Sequence, residues 1–191
     1  MWVTRFAFGI VALLLASPAS AQDVPLPALS FGYEFQRFSG DGESLNVPKW
    51  VSVDFAYPLA RGPISVIGQY DYGQTTEAAT QLGTQFDVRS TFNTYAFGVR
   101  WTAPIAARMQ PFVQVLSGAQ RYYFRQSLTD APDFETDSDW GTEALFQFGG
   151  GIAVPLTRRW SALGQLDYRR IFADEGVNNV RFVAGFRVGV E

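Results

Sequence analysis

Eight ionisable residues sit at alternate positions within otherwise apolar or small-residue stretches. Four are acids, Glu34, Asp54, Asp71 and Asp167, and four are bases, Arg100, Arg169, Arg181 and Arg187. Such a set can pair as carboxylate–guanidinium salt bridges, relay protons along a path, or supply a carboxylate acid and base such as Asp71 with Asp167. The chain has no histidine and no cysteine. That removes the commonest general base, the commonest zinc ligand, every thiolate and any disulfide. No residue is assigned to catalysis, and no cofactor is expected. The eight charges are expected to be structural ion pairs.

A second cluster is purely acidic. Asp130, Asp133, Glu135, Asp137, Asp139 and Glu143 fall within fourteen residues, with Trp140 and Gly141 among them. Calcium takes six to eight oxygen ligands, and Asp137-x-Asp139-x-Gly141 has a trace of a calcium-loop pattern. The full spacing and the closing bidentate Glu are missing, so Asp130, Asp133, Glu135, Asp137 and Asp139 form a weak metal candidate at most. A solvated polar connection, Gln126 to Glu143, is the expectation. Gly149-Gly150-Gly151 leads into Ile152-Ala153-Val154 and not into a helix, so it lacks the setting of a phosphate cradle.

What holds the eight charges is read from parity. In a strand, successive side chains point to opposite faces. From Asn179 to Val190 the even positions are Val180, Phe182, Ala184, Phe186, Val188 and Val190, while the odd ones include Arg181, Gly185, Arg187 and Gly189. Seven earlier stretches follow the same rule, the fifth less cleanly: about Leu29–Phe38, Trp50–Leu59, Ile64–Tyr72, Thr91–Thr102, Gln110–Phe124, Ala144–Leu156 and Trp160–Phe172. All eight charges fall on the polar face. The fold expected is all-β, an eight-stranded antiparallel up-and-down transmembrane β-barrel.

Alternation alone also fits a soluble barrel with an apolar cavity. Two features select the inverted arrangement. The polar face is rich in Gly, Ser, Ala and Gln, small enough to fill a narrow lumen, and the chain has fourteen Arg but a single Lys, Lys49. Aromatics make up 16% of residues, enough for interfacial girdles. Trp50, Tyr57, Tyr72, Trp101, Trp160 and Tyr168 lie near expected strand ends and are expected to anchor at the interfaces. The net charge of −3 offers no basic surface for nucleic acid.

Residues 1–21 read as a cleaved signal peptide, with Arg5, an apolar run from Phe6 to Ala16 and Ala19-Ser20-Ala21 before the cut. That run is shorter than the roughly 20 residues of a spanning helix. Residues 22–27 form a short lead, and 28–191 the barrel. Short connections lie at Leu59–Gly62, Ala103–Met109 and Thr157–Arg159; long polar ones lie at Ser39–Lys49, Gly73–Ser90 and Gln126–Glu143, with a shorter one at Ala173–Asn178. Outer-membrane barrels put short turns in the periplasm and long loops outside, so both termini are expected to be periplasmic. Eight strands give an interior that side chains just fill.

Six segments carry a family resemblance: Ser30-Phe31-Gly32-Tyr33-Glu34-Phe35, Thr94-Tyr95-Ala96-Phe97-Gly98-Val99-Arg100-Trp101, Pro111-Phe112-Val113-Gln114, Phe148-Gly149-Gly150-Gly151-Ile152, Leu166-Asp167-Tyr168-Arg169 and the last strand. The chain resembles the bacterial outer-membrane β-barrel domain superfamily, in its small, porin-like, stand-alone form without a peptidoglycan-binding domain. The resemblance implies contact with outer-membrane lipid and lipopolysaccharide, and insertion by the barrel-assembly machinery. Such chains commonly end in Phe; this one ends in Val190-Glu191, leaving Phe186 and Val190 as the apolar positions to be recognised. Barrels of the deacylase, palmitoyltransferase and outer-membrane protease types rely on histidine, so their mechanisms do not carry over. The function expected is non-enzymatic, a structural or surface-interaction role through acidic extracellular loops whose ligand the sequence does not name. A narrow conduit for small or apolar solutes is the alternative, and an envelope lipid-modifying enzyme a second, disfavoured one.

Overall fold

A computed structural model describes residues 26–40, 43–59, 62–81, 84–103, 109–128, 131–173 and 176–190; the side chains of 40, 43–49, 77–81, 84–86, 128 and 131–137 are not described. The expected signal peptide therefore lies outside the described residues. Eight strands follow in chain order: β1 (Ala28–Gly40), β2 (Glu43–Pro58), β3 (Ile64–Gln81), β4 (Thr84–Thr102), β5 (Gln110–Leu128), β6 (Ala131–Pro155), β7 (Trp160–Ile171) and β8 (Val177–Gly189). Each pairs antiparallel with the next, and β8 pairs back on β1, from Ala28↔Gly189 to Ser39↔Asn178. Closure gives every strand a partner on both sides within the barrel wall, the condition for strands to cross a bilayer.

The faces follow the parity of the sequence. Phe31, Tyr33, Phe55, Tyr95, Val99, Phe148, Leu166, Phe182 and Phe186 stand outward and exposed, with Phe97 69% exposed. Between them Ser30, Glu34, Ser52, Asp54, Gln69, Asp71, Thr94, Gln147 and Arg169 point inward and are buried. A soluble protein would reverse this arrangement, because exposed aromatics gain nothing from water.

The long connections differ from expectation. Strand pairing runs on through them, to Gly40↔Glu43 on β1–β2, Gln81↔Thr84 on β3–β4 and Leu128↔Ala131 on β5–β6. The segment Gln126–Glu143, expected as a polar loop, belongs largely to a hairpin of β5 and the 25-residue β6. Beyond the apolar band both faces of a hairpin meet water, so alternation disappears while backbone N–H and C=O groups still need partners. The ladder supplies them, and threonines such as Thr75, Thr76 and Thr91 suit it. The β1–β2 register shifts between Glu34↔Trp50 and Gln36↔Val47. Pro48, which has no N–H to give a ladder, falls inside that shift.

Candidate functional site

The lumen is the site. Apolar side chains at inward parity bound it at both ends. Toward the long hairpins, Trp50 and Phe92 stack at 5.5 Å between ring centroids, with Phe38, Tyr122 and Phe124 packed around them. Trp50 is fully buried, which corrects its expected place at the membrane interface. It shares even parity with Ser52 and Asp54, and its cross-strand partner is Gly73. A Cβ there would sit 2.2 Å from the Trp50 ring, so only glycine leaves room. Toward the short turns, Phe112, Ala153 and Leu163 form the opposite layer.

Between the layers lie the eight charges named above, all buried. Arg181 on β8 is the hub. Its Nε lies 2.9 Å from Glu34 Oε2, in ionic contact but outside hydrogen-bond alignment. Its Nη2 lies 3.1 Å from Asp71 Oδ1 and donates to Ser52 Oγ at 2.7 Å, and its Nη1 donates to Asp167 Oδ2. Arg169 on β7 reaches Asp71 Oδ2 at 2.5 Å and donates through Nε and Nη2 to Gln147 Oε1 at 2.9 and 2.7 Å. Its Nη1 donates to Thr94 Oγ1 at 3.3 Å. Asp71 also accepts from Ser52 Oγ at 2.8 Å and from Gln69 Nε2. Glu34 Oε1 accepts from Gln36, whose own carbonyl accepts from Asn179.

Nearer the short turns, Arg100 on β4 spans both oxygens of Asp54, at 3.3 and 3.2 Å, and Ser30 Oγ donates to the same carboxylate at 2.9 Å. Gln114 links the two groups. It accepts from Arg100 Nε at 2.9 Å and donates to Asp167 Oδ1 at 3.3 Å. Arg187 stands apart: its guanidinium lies 4.9 Å from the Phe112 ring centroid, with that of Arg100 at 4.5 Å from the same ring. Gly149 makes space for the network from the wall. It faces Asp167 across β6–β7, and a Cβ on it would meet the Asp167 carboxylate at 2.2 Å.

Buried charges demand partners, since an unpaired one is costly. Among the described residues, four carboxylates and four guanidiniums are buried in this lumen, so their charges balance. Asp71 and Asp167, a conceivable acid–base couple in the sequence, both rest on Arg181. That arrangement holds charge in place. Of the acidic run, Asp139 is exposed and its Oδ1 accepts from the Trp140 backbone N–H at 2.8 Å; Asp130 and the side chains of Asp133, Glu135 and Asp137 lie outside the described residues. Among the described residues no three acidic groups gather as a metal site. The structure adds Gln69, Gln114, Gln147, Thr94 and Asn179 as the neutral links of the network. Their inward parity was legible, but which of them bridge two strands was not.

An apolar wall around a charged, closed lumen is the architecture of a bilayer-spanning barrel. The family model for the outer membrane protein beta-barrel domain matches residues 6–191. The chain belongs to that family. It is an integral outer-membrane β-barrel, with its apolar face on lipid. No curated protein matches the sequence. Among solved structures, Ail, the attachment invasion locus protein of Yersinia pestis, in complex with the heparin analogue sucrose octasulfate, aligns at 17% identity with a TM-score of 0.59, over 85% of this chain and 99% of that one. Neisserial surface protein A aligns at 12% identity with a TM-score of 0.61, over 86% and 97%. At such identities the likeness is one of fold.

Proposed function

We propose that this barrel is a non-conducting, non-enzymatic anchor that presents its β3–β4 and β5–β6 hairpins at the cell surface. The observation that carries this reading is the continuation of strand pairing far beyond what crossing a membrane requires. A spanning strand needs about 9–11 residues, while β6 has 25 and β4 and β5 have 19 each. The extra length serves display. In this orientation the short turns and both termini are periplasmic, residues 1–21 are removed on export, and the barrel-assembly machinery inserts the remainder.

Where the hairpins leave the apolar band, outward-facing Arg89 and Arg125 stand directly opposite one another on β4–β5. Arg121 lies 5.4 Å from the Trp140 ring centroid, and Arg125 lies 5.7 Å from that of Tyr123. Guanidiniums and aromatics at this height suit the phosphates and interfacial zone of lipopolysaccharide. Farther toward the tip, β6 carries Asp133, Glu135 and Asp137, the last two across from Ser127 and Gln126, and these acids set its sign. The sucrose octasulfate bound to Ail is a polyanion, which an acidic tip would repel. The ligand of these hairpins is therefore read as basic or uncharged.

The test joins Tyr123 to Trp140, which are cross-strand partners, by a two-residue turn, and compares intact and shortened proteins on whole cells against an array of glycans and basic proteins. Binding by the intact form alone, with both forms still shifting on unboiled SDS gels, is expected. Equal binding by the two forms, or steady single-channel conductance from the intact barrel, would overturn the proposal.

A further inference from the structure

We propose that the short-turn section of the lumen binds a small oxyanion, a carboxylate or a phosphate, on the guanidinium of Arg187. This goes beyond the surface role and does not depend on it. Arg187 lies on β8 between Ser30 of β1 and Ser161 of β7, close to the strand ends at Gly189, Ala28 and Trp160. It is 9% exposed, and its Nε and Nη2 have no hydrogen-bond partner. Among the described residues no carboxylate pairs with it. Asp54, which could serve, has both oxygens taken by Arg100 and one of them also by Ser30. The other three carboxylates are gathered around Arg181.

Charge balance in the lumen is therefore global and not local. Among the described residues, three carboxylates face two guanidiniums in the centre, and one carboxylate faces two guanidiniums near the short turns. The second section carries one positive charge more than its partners neutralise. The free donors also have a shape. Nε and Nη2 lie on one edge of the guanidinium and offer two parallel N–H bonds, the fork that matches two oxygens of a carboxylate or phosphate. The Phe112 ring lies against the cation, its centroid 4.9 Å from the guanidinium carbon, and the edge that carries Nε and Nη2 is left without a protein hydrogen bond. A water molecule would satisfy one donor or share both, but would leave the charge.

The test uses the protein purified from outer membranes into detergent, labelled at arginine nitrogen, with the Arg187 Nε–H signal assigned by its loss in Arg187→Lys. Inorganic phosphate and acetate are titrated in, with chloride at matched ionic strength as the control. A saturable shift of the Arg187 signal with both oxyanions and none with chloride is expected. Phosphate should also raise the temperature at which the unboiled gel form is lost, in the wild type but not in Arg187→Gln. In anion-free buffer Arg187→Gln should be at least as stable as the wild type, because it removes an unpaired buried charge. An Arg187 signal indifferent to both oxyanions means the edge is merely hydrated and overturns the proposal. An equal response to chloride, or loss of stability in anion-free Arg187→Gln, overturns it too, the first by removing the fork and the second by revealing a protein partner.

Discussion

The centre of the lumen and its short-turn section are built from the same two kinds of charged group, yet they settle them differently. In the centre, Arg181 touches Glu34, Asp71 and Asp167, and Arg169 shares Asp71, so all five charges belong to one connected network. Near the short turns, Arg100 and Asp54 form a single two-pronged pair, while Arg187 leans on the Phe112 ring. Desolvation explains why both arrangements exist. A fully dry charge in the centre is surrounded by its opposites, whereas Arg187, close to the strand ends, has no carboxylate of its own among the described residues and keeps the option of an exchangeable partner. The centre is a fastening, and the short-turn section is a place where something can come and go.

The largest effect should come from breaking the hub. Arg181→Met leaves Asp71 with Arg169 alone and, among the described residues, takes the ion-pair partner from both Glu34 and Asp167. Loss of one partner from a buried ion network costs about 3–5 kcal/mol. Equilibrium unfolding of the purified barrel in detergent, followed by the gel shift across a urea series, should show that loss. A midpoint unchanged from wild type would mean that the centre is hydrated and that the contrast with the short-turn section is false.

This hub was only partly legible in the sequence. Parity put Arg181, Asp167, Asp71 and Glu34 on the inward face, because a one-residue slip would have turned every one of them toward lipid. Parity says nothing of height along the barrel axis, which is set by strand tilt and stagger. So parity does not match Arg181 to Asp71, 110 residues apart, and does not separate Arg187 from the paired residues. Trp50 departs from expectation for a different reason: a tryptophan near a strand end suits the interface by residue type, but the parity it shares with Ser52 and Asp54 turns it inward. The long hairpins are not legible as strands because water on both faces erases the alternation that marks one.

A smaller effect is expected at Arg100. In Arg100→Met, Asp54 loses its two-pronged partner, but Arg187 stands over the same Phe112 ring and can turn its free edge to the vacated carboxylate. The cost should fall to about 1–3 kcal/mol, that of a buried acceptor left imperfectly satisfied. The sharper signature is functional. Arg100→Met should abolish the response of Arg187 to phosphate, since Asp54 then occupies the fork. A response that survives undiminished would show that Arg187 cannot reach Asp54 and that the two guanidiniums act separately.

The smallest effect is expected in the aromatic layer at the other end of the lumen, where packing and not charge does the closing. Trp50 stacks on Phe92 and lies 6.0 Å from the ring of Phe38, but its Nε1 finds no partner among the described residues. Trp50→Phe removes that unsatisfied donor, whose burial costs about 1–3 kcal/mol, and also gives up part of the ring, a loss of similar size by the large-to-small rule. The two changes oppose each other, so net stability should move by no more than about 1 kcal/mol in the same urea series. Trp50→Ala would lose the stack itself, at about 3–5 kcal/mol. If Trp50→Phe proved nearly as costly as Trp50→Ala, the indole N–H would have to be held by a bound group. The hairpin end of the lumen would then resemble the Arg187 section, a seat for an exchangeable partner, and would no longer be a simple hydrophobic lid.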